Sequence, residues 1–166
     1  MENLSAKVLA LLKGYAEDKK RLALLWREWG NPVTISAHEM LEAMSFSKGT
    51  DGVKPSAGHI SDKTYQIATQ YREMAIQRNQ KERQELLDQI ERLEQKLRRI
   101  EFCVSQLQPE QAAVIRGIYF DGKGQGALID ELHLSGSTIH RYRDKALYAM
   151  AGMYTLLQDA GIALEW

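Results

Sequence analysis

The pattern of apolar and polar positions divides most of the chain into helical stretches. Apolar residues recur at alternating steps of three and four over residues 2–29, over 61–106 and again from residue 128 onward, which is the repeat of an amphipathic helix. A shorter segment at 36–44 fits one further helix, whereas residues 45–60 are rich in Gly and Ser and lose the periodicity. The pattern predicts an all-α fold with a flexible loop at about 45–60.

The second half of the long helix carries a heptad seam over three repeats. The seam residues are Leu86, Ile90, Leu93, Leu97, Ile100, Val104 and Leu107. Such a seam packs against another helix, and the sequence offers two partners. One is the N-terminal helix of the same chain, which would give a long helical hairpin. The other is a second copy of the chain, which would give a coiled coil.

The last third of the chain reads as two helices joined by a tight turn. Leu128, Ile129 and Leu132 give the first helix an apolar side, Leu134 would fill the space between the helices, and Ser135 or Ser137 would cap the second. The second helix, over 137–153, is predicted to continue through Leu156 and Leu157 and to break at Gly161. Its predicted buried stripe is Ile139, Tyr142, Ala146, Met150 and Met153. This is the form of a helix-turn-helix, whose second helix can lie in a DNA major groove.

The polar side chains of this segment are the candidate DNA-binding residues. They are Ser135, Ser137, Thr138, His140, Arg141, Arg143 and Lys145. Arginine bonds guanine edges bidentately, and hydroxyl, Lys and His side chains hold phosphates or read bases. The alternative is a helical hairpin whose outer face is only solvated.

Two positions depart from the usual form of such a pair. Ile129 is bulky where a small residue commonly lets the two helices approach each other. His133 stands in the turn where glycine is common, so a left-handed backbone at this position would be strained.

A family resemblance rests on an ordered set of segments. These are Gln108-Pro109-Glu110, Ile118 to Gly122, Leu128 to Leu134, Ser135 to Arg141 and Lys145-Ala146-Leu147. In this order they resemble region 4 of sigma-70-type factors and, more closely, phage and prophage transcriptional regulators of the ArpU/RinA type. The likeness extends over about residues 45–157. It implies a helical, oligomerising region at 1–107 and a DNA-binding domain at 108–166.

Charge bears on how such a domain would bind. The net charge of the 166-residue chain is zero, and residues 109–166 hold five Lys and Arg against seven Asp and Glu. One module would therefore make few phosphate contacts and bind weakly. This favours a homodimer through the heptad seam, acting on double-stranded DNA with host RNA polymerase as a further partner.

Composition and motifs indicate neither a catalytic site nor a membrane-spanning segment. Hydrophobic residues are 44% and charged residues 27%, as in ordinary globular proteins, and no apolar run is long enough to span a bilayer. The single cysteine, Cys103, fits a reducing compartment and core packing. The four histidines share no metal-binding spacing, and Lys48-Gly49-Thr50 lacks the P-loop spacing. We expect a cytoplasmic protein of the bacterial host cell, with no catalytic residue, metal or cofactor.

Three functions compete at this stage. The first is a sequence-specific transcriptional regulator of phage or prophage genes, expected to be an activator. The second is a phage terminase small subunit, although its DNA module usually comes first in the chain rather than last. The third is a helical adaptor that binds RNA polymerase without reading DNA, which the acidic balance of residues 109–166 supports.

Overall fold

The computed structural model of the chain describes residues 2–45 and 62–164. All regular structure in these two ranges is helical, which confirms the predicted all-α fold. The elements are α1 (Glu2–Gly30), α2 (Ala37–Ser45), α3 (Asp62–Ser105), α4 (Pro109–Ile115), a π-helical segment (Arg116–Phe120), α5 (Gln125–Leu132) and α6 (Gly136–Asp159). Apart from Ser45, the predicted loop lies outside the described residues. None of the described helices has the length and apolar character needed to cross a membrane.

The chain forms two compact units. The first consists of Met1–Leu25 with Ile90–Trp166, and the second of Trp26–Gln89. The boundary expected between residues 107 and 108 falls inside the first unit. The reason is that Leu107, just after α3, lies in the same hydrophobic core as residues of α4 and α6.

Four helices supply the core of the first unit. Its buried side chains are Val8, Leu11, Leu12 and Tyr15 from α1, Leu97, Ile100, Cys103 and Val104 from α3, Leu107 from the connection after α3, Ala112 and Ile115 from α4, and Ala146, Met150, Ala151 and Tyr154 from α6. The three-four spacing on α1, α3 and α6 brings one stripe of each helix to this core. Fully burying a Leu or Ile side chain stabilises a fold by roughly 1.5–3 kcal/mol. The core therefore binds the N-terminal helix to the C-terminal helices.

The heptad seam lies largely in this core. Leu97, Ile100, Val104 and Leu107 are buried among residues of α1, α4 and α6, and Leu93 is half-buried against the same cluster. Ile90 is also buried, while Leu86 is half-buried in the second unit. This part of the seam therefore packs within the chain, because α1, α4 and α6 cover the apolar stripe of α3.

Polar contacts fix α1 against α3 in the first unit. Asp18, which interrupts the apolar stripe of α1, pairs with Lys96 at 2.8 Å, and both side chains are largely buried. The hydroxyl of Tyr15 donates a hydrogen bond to Glu101 at 2.5 Å. The Tyr15 ring also stacks on Phe120 of the π-helical segment, with centroids 3.8 Å apart. The polar residue in the stripe is therefore paired with an opposite charge on the facing helix.

The second unit is organised around Asn79 of α3. Its side-chain carbonyl accepts a bond from the Ile35 amide at 3.0 Å, and its amide donates to the Ile35 carbonyl at 2.9 Å. Ser36 and Glu39 form a reciprocal capping box at the start of α2, and the Ser36 amide lowers the pKa of Glu39. Arg83 lies over the Trp29 ring, 4.6 Å from its centroid. Trp29, Asn79, Arg83 and Leu86 are among the residues that line a cleft of about 330 Å³ in this unit.

Candidate nucleic-acid interface

A small separate core holds α4, α5 and α6 together. Val114, Leu128 and Ile139 are buried at its centre, one from each helix. The half-buried side chains around them are Ile118, Ile129, Leu132, Leu134 and Tyr142. Leu134 thus packs where the sequence predicted, between the two helices of the helix-turn-helix pair, α5 and α6.

A glycine on the second helix allows the close approach of the pair. A Cβ at Gly136 would stand 2.7 Å from Nε2 of Gln125 and 3.7 Å from Cδ1 of Ile129. The first of these distances is shorter than real side-chain contacts allow, so a larger residue would displace Gln125. The bulky Ile129 does not require this glycine, because a Cβ at Gly136 would only be in ordinary van der Waals contact with it.

The turn between α5 and α6 contains a left-handed residue at His133, where the sequence indicates that such a backbone is strained. His133 ends α5 with φ 52° and ψ 38°, in the left-handed region. A left-handed residue with a Cβ costs roughly 1–2 kcal/mol. Ser135 follows in an extended conformation and caps α6, because its hydroxyl accepts a bond from the Thr138 amide at 3.2 Å. The capping prediction is confirmed for Ser135.

Three hydroxyl groups meet at the start of α6. The Ser135 oxygen lies 2.9 Å from the hydroxyl of Ser137 and 2.9 Å from that of Thr138. Backbone amides at the N-terminus of a helix, together with the helix dipole, favour an anion such as phosphate. The hydroxyls and amides are therefore suited to holding a nucleic-acid backbone at this end of α6.

The outer face of α6 carries the exposed cations. Arg141 and Lys145 are exposed, one turn apart, and Thr138 is half-buried one turn before them. Among the residues that the structure describes, neither Arg141 nor Lys145 has an ion pair, and the Arg141 guanidinium lies 5.8 Å from the Tyr142 ring centroid. Both charges are thus available to a ligand.

The other two candidate cations are engaged within the chain. Arg143 is half-buried and bonds the neighbouring Asp144 carboxylate at 2.7 Å and 3.0 Å. Nε2 of His140 lies 3.3 Å from Nε2 of Gln125. The structure therefore brings all seven predicted residues to one end of α6 but leaves Arg141 and Lys145 as its uncompensated charges.

Gln125 is a residue of this surface that the sequence analysis missed. It is the first residue of α5, is exposed, and reaches α6 at both Gly136 and His140. Glutamine can bond adenine bidentately or contact a phosphate. Its position at the start of the first helix was the available signal, because that end of α5 faces the start of α6.

Lys123 strengthens the loop before α5 rather than adding free positive charge. Its ammonium group donates to both oxygens of Glu131 at 2.9 Å and 2.8 Å and lies 3.3 Å from Asp121. The Glu131 carboxylate is the main cause of its raised pKa. Burial raises the pKa of Tyr119, which the nearby Arg143 opposes. The flank of the surface is thus neutral or acidic, and cationic chemistry is concentrated on α6.

Other chemistry is not assembled in the described part of the chain. No group of three or more His, Cys, Asp or Glu side chains there could hold a metal ion. Cys103 is buried in the core, where burial raises the pKa of its thiol.

Comparisons of the chain with protein-family models, with curated proteins and with solved structures gave no match.

Proposed function

We propose that the protein is a sequence-specific DNA-binding transcriptional regulator, an activator of phage or prophage genes. The observation that carries the proposal is the outer face of α6. An N-cap, three hydroxyl groups and the unpaired Arg141 lie together at the exposed start of a 24-residue helix. The start of the second helix is the part of a helix-turn-helix that contacts base edges.

Each side chain has a role in this proposal. Arg141 points outward one turn into α6 and bonds a guanine bidentately in the major groove. Ser137, Thr138 and the free amides of the first turn hold phosphate oxygens. Gln125 and His140, joined across the two helices, contact the backbone beside them. Lys145 lies at the far margin of the reading surface.

The charge balance makes this binding weak for one copy. Arg141 and Lys145 are free, but Arg143 is neutralised by Asp144 and Lys123 by Glu131. Each phosphate contact contributes about 0.9 to the slope of log K against log salt. We expect a shallow slope for one module, and an affinity that depends on a second copy or on polymerase already at the promoter.

The test is selection from a pool of random DNA fragments, followed by fluorescence anisotropy on the enriched sequence. Arg141→Ala should weaken binding by about 1–3 kcal/mol and relax specificity at one base pair. Arg21→Ala removes an exposed arginine of α1 and is the matched control. Unchanged affinity of Arg141→Ala, with both variants folded, would refute the assignment of α6 as the reading helix.

Activation is tested separately, by transcription in vitro from the selected site with host RNA polymerase. More transcript with the protein than without it supports an activator. Binding to polymerase without any enriched DNA sequence would favour the adaptor function. A large ring in solution, with DNA enriched, would favour a terminase small subunit.

A further inference from the structure

The C-terminal half of α6 exposes an apolar stripe that the described part of its own chain does not cover. Tyr148 is 62% exposed and Leu156 is 70% exposed. Gly152 lies midway between them, four residues from each, so the three positions share one face of the helix. Apart from its chain neighbours and the backbone of its own helix, no described atom lies within 4 Å of where a Cβ on Gly152 would stand. Packing within the chain therefore does not require a glycine there, although glycine is a poor helix former.

Two charged residues are also placed symmetrically about Gly152. Lys145 and Asp159 lie seven residues to either side of Gly152, on the same face, and both are exposed. Among the described residues neither of them has an ion pair. An aspartate in the last turn of a helix is also opposed by the helix dipole. A cation from outside the chain would therefore be favoured beside Asp159.

We propose that this face of α6 pairs with the same face of a second copy, antiparallel, with the two Gly152 residues on a two-fold axis. Antiparallel pairing about Gly152 sets Tyr148 against Leu156 of the second copy and Lys145 against its Asp159. An isologous contact needs a self-complementary surface, and this stripe is one in both apolar character and charge. The glycines let the helix axes approach closely.

In this proposal the two copies meet through this face of α6 and not through the heptad seam, which the sequence favoured. Leu97, Ile100 and Val104 are buried in the chain's own core. Only about four turns of α6, from Lys145 to Asp159, take part in the proposed contact. Such an interface is smaller than those of stable complexes, so we expect a dimer with a dissociation constant in the micromolar range.

The geometry also sets the spacing on DNA, a step that rests on the proposed function. Arg141 lies eleven residues from Gly152, which is about 16 Å along the helix, so the two Arg141 residues stand about 33 Å apart. This is close to the separation of half-sites on one face of B-DNA, one helical turn apart. In the antiparallel pair, Arg141 of one copy lies opposite a position of the other copy that follows Asp159, after the end of that copy's α6. The partner's α6 thus does not extend over the reading residues from Ser135 to Arg141.

The decisive experiment uses charge exchange without DNA. Sedimentation equilibrium is measured for the full chain, up to on the order of 100 µM, which is well above a micromolar dissociation constant. The wild type should pass from 18.9 kDa to twice that mass. Lys145→Asp and Asp159→Lys should each weaken dimerisation at least about tenfold. An equal mixture of the two variants should dimerise again, because the mixed dimer restores both ion pairs.

A second pair of variants tests the axis. Gly152→Leu should keep the helical circular dichroism of the monomer and abolish the dimer, because the added side chain blocks the helix crossing. Gly126→Leu changes another helical glycine with open space around it and should leave the mass unchanged. A wild type that stays monomeric, or a mixture that does not recover, overturns the proposal. Both readouts omit DNA, so a failure of DNA reading leaves them intact.

Discussion

Gly117 in the π-helical segment lies against Leu128 of α5 so closely that a Cβ at position 117 would stand 2.3 Å from Cδ2 of Leu128. Leu128 is 2% exposed and sits at the centre of the core that joins α4, α5 and α6. The widened π-helical turn and this glycine together let α5 pack on α4. The seating of the helix-turn-helix pair thus depends on a contact outside its two helices.

Gly117→Ala should destabilise the protein by about 1–3 kcal/mol, the usual cost of overpacking a core. Leu128 is buried among Val114 and Ile139 and has little room to withdraw. Gly126→Ala, on the exposed side of α5, is the control and should stabilise slightly, because alanine is the better helix former. Urea unfolding measures both, and equal stability of the two variants would contradict the close contact.

Tyr15→Phe should cost about 0.5–1.5 kcal/mol, the net value of a typical hydrogen bond. The hydroxyl of Tyr15 donates to Glu101, whose carboxylate also lies 3.7 Å from Lys19. The ring remains to stack on Phe120. Tyr148→Phe removes an exposed hydroxyl and should change the free energy of unfolding by less. A stability loss as large for Tyr148→Phe would mean that the Glu101 bond contributes nothing.

The periodicity of the sequence predicted the helices well but not their partners. The described bounds of α1, α2 and α3 lie within about a residue of those expected, and Ile139, Ala146 and Met150 are buried as predicted. A three-four stripe has the same form whether a helix packs within its chain or against another copy. The seam of α3 could therefore be recognised but not assigned.

Two local features show where prediction succeeds and fails. The left-handed conformation of His133 was not predicted, because the sequence shows only that such a backbone would be strained with a Cβ at this position. The end of α6 agrees with the sequence, which predicts that the helix continues through Leu156 and Leu157 and breaks at Gly161, and the helix ends at Asp159. Tyr154 is buried in the core and holds this last part of the helix in place.

His133→Gly should stabilise the protein by about 1 kcal/mol, because glycine adopts the left-handed conformation without a Cβ clash. His140→Gly is the opposite control, since it places glycine inside α6 and should destabilise by about the same amount. Thermal unfolding of the two variants distinguishes the cases. A loss of stability in His133→Gly would show that the side chain matters more than the strained backbone.

Asp144→Asn should increase the affinity for DNA and steepen its salt dependence. The Asp144 carboxylate bonds Arg143 at 2.7 Å and neutralises it beside the reading surface. Releasing that cation to one phosphate would add about 0.9 to the slope of log K against log salt. Asp130→Asn, an exposed carboxylate of α5, is the control for net charge alone. Identical salt slopes for the two variants would mean that Arg143 does not reach the DNA.

Buried tyrosines with a raised pKa should make the free energy of unfolding fall at alkaline pH. Burial raises the pKa of Tyr15, of Tyr119 and, most strongly, of Tyr154, whose pKa the neighbouring Cys103 raises further. The unfolded chain then loses these protons first, near the ordinary tyrosine pKa of 10.0. The associated stability is complete below that pH and is lost as the pH rises, and the loss reaches about 1.4 kcal/mol per pH unit for a group only between its unfolded and its folded pKa.

Tyr154→Phe tests this dependence at its largest contributor. The variant keeps the ring in the core but cannot ionise, so its free energy of unfolding should fall less steeply above pH 10.0 than that of the wild type. The difference in slope should approach about 1.4 kcal/mol per pH unit. Urea unfolding at a series of alkaline pH values gives both slopes, with Tyr148→Phe as the exposed control. Parallel slopes for Tyr154→Phe and the wild type would show that the Tyr154 phenol is ionised as readily in the folded protein as in the unfolded chain.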